Sequence, residues 1–570
     1  MTTRAADRDD DERAVTLGST VDHQPLPRVR ERMAPLGRLE DPVIGWIATA
    51  MVGALALFLR LWRLGSPKEF EFDETYYAKD AWSMLQHGYV RDYVDKADDA
   101  IIAGNLGSLW DGDKPSMVVH PEVGKWMIAA GEQVFGMDPL GWRISAAIVG
   151  TLMCVMMVRL VRRITGSMML GVIGGLLLCL DGMHLVLSRL ALLDIFLAFW
   201  LLAAVTALVI DRDWTRERMT RLATAENIAT WGPLKGLWFR PWRLVAGICF
   251  GLAAGTKWSG LYALAVFGIL VWLWDSGARR AIGVRLPVLR SALVDAVPAF
   301  VHLVVVAFVV YVASWTGWLM NADKYEDQLS QTQYTQFVSM KPGCEAVTDE
   351  SKQWPTAKEK DASGIGEAWQ SLRSLASYHH DLFIFHTNFL DCSEHTYQSQ
   401  PEGWLVLNRP VGVNVENDIK PGAQGCEAAA DSHCLREVLL IGTPVLWWGG
   451  ALALLYGAVV WIGRRDWRFG LATMGALAMW VPWEFSDTRP IFSFYASAVT
   501  PFMIIAICLA MGHILGRDTG PTLRRTVGTV VCGSFFVLVL LNFAWFWPIW
   551  TNELLTHSEW MDRMWFQRWI

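Results

Sequence analysis

Long apolar runs alternate with polar connections along most of this chain. They lie at about 43–62, 140–158, 168–187, 190–210, 243–256, 258–274, 293–315, 438–462, 469–483, 490–515 and 526–548. A helix needs about 20 residues to cross the hydrocarbon core of a bilayer. The pattern therefore predicts an all-α integral membrane protein with about eleven transmembrane helices. Arginines gather in alternate connections: Arg159, Arg162 and Arg163; then Arg212, Arg216, Arg218 and Arg221; then Arg279, Arg280, Arg285 and Arg290. Arg464, Arg465 and Arg468 follow, then Arg517, Arg524 and Arg525. Basic residues stay on the cytoplasmic side, so the N-terminus is expected inside. Two long connections, 63–139 and 316–437, and the tail 549–570 are expected outside. The division is then a disordered cytoplasmic tail 1–41, an N-terminal membrane module 42–315, the loop 316–437, C-terminal helices 438–548 and the outer tail.

Composition supports a membrane chain. Hydrophobic residues are 53% and charged residues 19%, and the 31 tryptophans suit the bilayer interface. Residues 1–41 are rich in Arg, Asp and Glu and lack periodicity, as expected of a disordered tail. No small-residue cleavage site follows a short apolar core there, so no removable signal peptide is expected. Cys344, Cys392, Cys426 and Cys434 all fall in the second long loop, where an even set outside the cell suits one or two disulfides. Cys426 and Cys434 are near enough to be a pair. The stretch 121–135 is amphipathic and suits a helix along the membrane surface. Asn-x-Ser/Thr sequons, Walker and Rossmann glycine patterns and Cys-x-x-Cys pairs are absent. A nucleotide donor is not indicated.

Chemistry is expected where ionisable residues gather at the outer ends of the spans. Such groups are costly near the membrane, about 2.5–3.5 kcal/mol on insertion scales. Asp73-Glu74 stands among Phe70, Phe72, Tyr76 and Tyr77, surroundings that suit a carboxylate ready to take a proton. The same side collects His120 with Lys125, then Arg143, then Asp181, Arg189 and Asp194, then Lys257. Arg143, Arg189 and Lys257 suit one phosphate at the interface. Singly, each has a plainer reading. An interfacial Arg or Lys snorkels to water, a lone His is commonly a surface residue, and Asp181 and Asp194 suit helix caps. Asn408-Arg409-Pro410 and the segment from Trp483 to Pro490 also lie outside, without an intrinsic chemical reading.

In order and spacing these residues resemble the dolichyl/polyprenyl-phosphate-mannose–protein mannosyltransferase family of the GT-C fold. Phe72-Asp73-Glu74 resembles its first-loop acidic motif, and His120-Pro121 with Gly124-Lys125 its His-Pro-Pro-x-Gly-Lys segment. Arg143 falls where the family has an arginine opening the second span. Asp181, Ser188-Arg189 and Leu192-Leu193-Asp194 resemble its Asp…Ser-Arg-x-x-Leu-Leu-Asp run. Gly255-x-Lys257-Trp258 resembles its Gly-x-Lys-Trp turn, and Trp404…Arg409-Pro410 its Trp…Arg-Pro run. Tyr76 departs from a common His, and Glu122 from a common Pro. The large loop lacks room for the family's eukaryotic MIR domain, which implies a bacterial, actinobacterial-type enzyme of the plasma membrane.

The resemblance implies inverting transfer of mannose from polyprenyl-phosphate-mannose to Ser/Thr hydroxyls of secreted proteins. Asp73 and Glu74 are then the catalytic pair, Asp73 as general base. His120, Lys125, Arg143, Asp181, Arg189, Asp194, Lys257 and Arg409 are the substrate-binding set. Acceptors would be met during or just after export, for example at the Sec translocon. No nucleic acid is implied, and a divalent metal is not required by such a donor. The alternatives are another GT-C transferase acting on a glycan or lipid, and a transporter, which would place its ionisable residues near mid-bilayer.

Overall fold

A computed structural model describes residues 42–331, 353–360, 362–486, 488–516 and 520–570. The expected tail 1–41 and Cys344 lie outside them. Eight helices are long and apolar enough to cross a membrane: α1 (Val43–Leu61), α4 (Pro139–Thr165), α7 (Leu193–Leu222), α9 (Gly260–Ala281), α10 (Ala296–Ala313), α12 (Pro444–Arg464), α14 (Ser493–Leu515) and α15 (Leu523–Trp550). Three predicted spans are shorter helices: α5 (Met168–Cys179), α8 (Pro241–Ala254) and α13 (Trp467–Trp480). The run predicted at 168–187 breaks because Asp181 caps a separate short helix, α6 (Gly182–Leu187), accepting from the His184 amide at 3.0 Å.

Between the spans lie α2 (Glu74–His87), α3 (Val123–Phe135) and α11 (Ile365–Ile384). The chain is not purely helical. β1 (Arg91–Tyr93) pairs with β2 (Trp110–Pro115), and a second sheet has the order β3 (Val411–Ile419), β4 (Cys434–Leu440), β5 (Leu555–Thr556), all antiparallel. The run expected to begin a span at 438 is in fact the end of β4, and α12 starts at Pro444. Val438, Leu439 and Leu440 are buried in the sheet, and a short buried strand has the same hydropathy as a helix end. The predicted Cys426–Cys434 pair is a disulfide closing the β3–β4 connection.

Burial sorts the bundle. The apolar windows of α7 and α14 are each 72% buried and that of α15 only 28%, so α7 and α14 lie at the centre and α15 turns Leu523, Val527 and Val530 outward. Helix α7 packs on α8, α4 on α5 and α1, and α12 on α14. The opposite faces of adjacent antiparallel helices bring the end of α1, the starts of α4 and α7, and the α8–α9 turn to one end of the bundle. At the other end Arg240 and Arg243 share Asp211 and Asp275, and Arg279 pairs with Asp295, all buried. Arg240, Arg243 and Arg279 are thus matched by carboxylates, which is how charge is tolerated in a dry bundle.

Candidate active site

Four carboxylates crowd into residues 69–74, and the fold sorts them. Glu69 accepts from the Asn414 amide at 2.7 Å. Glu71 is fully buried, and that burial, with Glu74 beside it, pushes its pKa up to about 9. Glu74 is fully buried and receives Arg143 through Nε at 2.9 Å and Nη2 at 2.7 Å, with the amides of Ala191 (2.8 Å) and Glu71 (3.0 Å) completing its shell. Only Asp73 lines a cleft, of about 440 Å³. Phe72 turns the chain there with φ 52°, a left-handed conformation that a bulky residue rarely takes. Its ring makes edge contacts with His395, Phe492 and Phe494, which hold the turn.

Asp73 precedes α2 and accepts from the Tyr77 hydroxyl at 3.3 Å. Burial raises its pKa to about 6, helped by the Asp194 charge and opposed by Lys257 and the Tyr77 bond. Solvent still reaches it along the cleft. Lys257, in the α8–α9 turn, holds both oxygens of Asp194 at 3.0 and 2.9 Å and lies 4.7 Å from the centre of the Tyr495 ring. Burial works against its ammonium, yet Asp194, with Tyr495 and Asp73 behind it, holds the pKa above the usual lysine value.

Two motifs distant in sequence meet through glycine. A Cβ on Gly124 would stand 2.6 Å from Leu193 Cδ2 and 3.1 Å from Thr256 Cγ2. Only a bare backbone lets α3 approach the start of α7 and the Lys257 turn so closely, where the Val123 amide donates to the Gly255 carbonyl at 2.9 Å. Lys125, on the same helix, pairs with Asp80 at 3.0 Å at the cleft wall. His120 lies beside it with its ring 5.6 Å from that of His386. Burial, then the Lys257 charge and His386, keeps His120 well below the usual histidine pKa. His386 is lowered to about 4 by burial and by Arg489.

Most of the remaining residues of the expected set bond to other parts of the scaffold. Arg143 also donates to the carbonyls of Pro67 (2.8 Å) and Glu69 (2.9 Å), so with Glu74 it fixes the loop that presents Asp73. Neither Arg143 nor Glu74 lines the cleft, whereas the sequence reading places Arg143 in the substrate-binding set and Glu74 beside Asp73 in the catalytic pair. Arg189 donates to the carbonyls of Leu59, Arg60 and Trp62, closing the C-terminal end of α1. Asp181 is fully buried and ties α6 to α12 through the Thr443 amide (3.1 Å) and the Trp447 indole (2.7 Å). Arg409 lines a further cavity with Arg568. Buried polar groups with complete partners are the expected outcome for such residues, which is why sequence position alone could not separate them from ligand-binding ones.

Arg489 belongs to a segment, 483–490, without an intrinsic chemical reading in the sequence, and the structure puts it in the cleft wall. Its Nη1 meets His386 Nδ1 at 2.9 Å and its guanidinium lies 5.9 Å from the Trp483 ring centre. Among the described residues it enters no ion pair, and its Nε is buried with no partner. Lys125 and Lys257 are each paired with an aspartate, so Arg489 is the cleft-wall cation that has no carboxylate partner among the described residues. An arginine placed just before a proline at a span's outer mouth was the one sequence signal for it. Among the described residues no three His, Cys, Asp or Glu side chains converge as a bound metal ion would need.

This backbone matches the S. cerevisiae protein O-mannosyltransferase Pmt1-Pmt2 complex bound to the sugar donor, with a TM-score of 0.65 at 14% identity over 96% of this chain and 95% of that one. The fold is therefore that of a polytopic GT-C glycosyltransferase. The dolichyl-phosphate-mannose-protein mannosyltransferase model matches residues 50–322, and the C-terminal four-helix region of protein O-mannosyltransferases matches 371–569. The chain is 35% identical, over 93% of its length and 94% of theirs, to a polyprenol-phosphate-mannose–protein mannosyltransferase of Mycolicibacterium smegmatis. A protein of the same description from Mycobacterium tuberculosis is 34% identical over 94% of this chain and 93% of its own. The chain belongs to the dolichyl-phosphate-mannose–protein mannosyltransferase family.

Proposed function

We propose that this protein transfers mannose from polyprenyl-phosphate-mannose to Ser or Thr hydroxyls of polypeptides. The reaction takes place at the outer face of the plasma membrane, with the N-terminus in the cytoplasm and acceptors met during or after export. The arginine-rich alternate connections support that orientation. The observation that carries the reading is Asp73, the one carboxylate of its crowded loop that faces the cleft, with a pKa near 6, in a chain of this family.

Asp73 takes the acceptor hydroxyl proton as the hydroxyl oxygen bonds to the anomeric carbon. The anomeric carbon–phosphate oxygen bond breaks with inversion, and the electron pair leaves on polyprenyl phosphate. Tyr77 holds the Asp73 carboxylate in place, and Lys257 with Asp194 sets its charge environment. Arg489 meets the growing phosphate charge, the largest contribution such sites make to rate. Labelled mannose appearing on a Ser/Thr peptide, with membranes holding this protein and polyprenyl-phosphate-mannose, is the test. Label on a glycan or lipid alone would remove the acceptor assignment.

Two further results are expected. A base must be ionised to act, so kcat/KM should fall about tenfold per pH unit below the Asp73 pKa of about 6 and level off above it. A flat profile from pH 5 to about 7 would count against Asp73 as base. Arg489→Gln should raise the donor KM about tenfold or more, as a bond between charged groups contributes about 1.5–3 kcal/mol. Unchanged donor KM would take Arg489 out of the phosphate site.

A further inference from the structure

Two more cavities, lined mostly by residues with polar side chains, continue the cleft at Asp73. One of about 100 Å³ shares Ser393, Glu394 and Arg489 with it. The next, of about 380 Å³, shares Gln398, Ser399 and Gln400 with the first and ends at Asn408, Arg409 and Arg568. Common walls make these one trough, from the catalytic carboxylate to a pair of arginines.

The wall formed by 393–400 is tied down at two places. The His395 ring packs edge-on against that of Phe492, their centres 5.0 Å apart. The Ser399 amide donates to the Ile491 carbonyl at 2.9 Å, and its hydroxyl accepts from the buried Trp404 indole at 2.9 Å. A fixed wall binds without first being ordered. Nearly all the residues that line the trough beyond Arg489 end in amide, hydroxyl or charged groups, which can meet the polar groups of a peptide. An extended polypeptide offers N–H and C=O groups in turn, and the side-chain amides of Gln398, Gln400 and Asn408 both donate and accept. They bind a main chain whatever its sequence.

The far end is different. Arg409 donates to main-chain oxygens of Arg568 and Ile570 at 3.0 and 2.7 Å, while the Arg568 side chain is exposed. Among the described residues neither forms an ion pair with an Asp or Glu side chain. We infer that this trough seats the acceptor polypeptide in extended form, and that Arg568 favours an acidic acceptor residue a few positions from the reacting hydroxyl. The inference rests on the polypeptide-acceptor reading above.

The test uses membranes holding the full chain, polyprenyl-phosphate-mannose, and Ser/Thr peptides in which Glu or Lys is stepped through each flanking position. On one side of the acceptor, the best Glu peptide should have a KM about fivefold below its Lys counterpart, the size of an exposed ion pair. That ratio should approach one in about 1 M salt, where such charges are screened. Arg568→Glu should reverse the ratio, and Arg568→Gln should abolish it, with kcat little changed. The same Glu-to-Lys ratio in wild type and Arg568→Glu overturns the trough while leaving the transferase reading in place. Mannose on a glycan or lipid and on none of the peptides overturns the acceptor reading, and this inference with it.

Discussion

Replacing Asp73 by Asn should lower mannosyl transfer about 10²–10⁴-fold, the range that a positioned general base contributes. Asn keeps the size of the side chain and can still accept from the Tyr77 hydroxyl, so the loop and α2 should hold. What it loses is the ability to take a proton. Donor KM should change little, because the proposed mechanism gives the charge of the mannosyl phosphate to Arg489 rather than to Asp73. The measurement is label transfer at saturating donor and peptide, with protein amount and melting temperature in detergent checked beside it. Near-wild-type turnover by a correctly inserted variant would move the base elsewhere, and Asp80 and Glu394 are the other carboxylates of the cleft wall.

Arg143→Leu should destabilise the protein by about 3–5 kcal/mol, the cost of leaving one member of a buried pair alone. Glu74 would keep its two amide donors but lose the guanidinium at 2.7 Å, and the carbonyls of Pro67 and Glu69 would lose their donor. The loop that carries Asp73 should loosen, so activity falls together with thermal stability. Glu74→Gln should be milder, since an amide can still accept from Arg143 and the arginine keeps its main-chain partners. A double variant separates the roles: Arg143→Leu with Glu74→Leu should recover part of the stability and little of the activity. If Arg143→Leu instead keeps its melting temperature while the donor KM rises, Arg143 belongs to the donor site after all.

Much of the molecule was legible in the chain. Runs of about 20 apolar residues gave most of the long helices because only one face or less of each can be polar in a bilayer. Errors fell where apolarity has two meanings. Val438-Leu439-Leu440 is buried in a sheet rather than in a span, and 168–187 is interrupted by one capping aspartate. The residues at the functional end were also legible as a group, since ionisable side chains at span ends need a reason to be there. Their individual roles were not. Asp73 and Glu74 are neighbours of like charge, and nothing local says that one faces a cleft and the other faces Arg143. Arg189 and Arg489 likewise look alike in sequence, yet one closes α1 and the other stands in the cleft wall.

The sequence by itself determined that this is a polytopic membrane chain, which ionisable residues gather at the ends of its spans, and which family its motifs resemble. Those follow from hydropathy, which acts on each segment separately, and from the order of short motifs. Only the tertiary structure decided which carboxylate faces the cleft, which cations are already neutralised, and that cavities lined by polar side chains lead from Asp73 toward Arg568. The physical reason is that a charge is defined by its partner and its burial. In this fold the partners come from elements as far apart as Glu74 and Arg143, or Asp194 and Lys257.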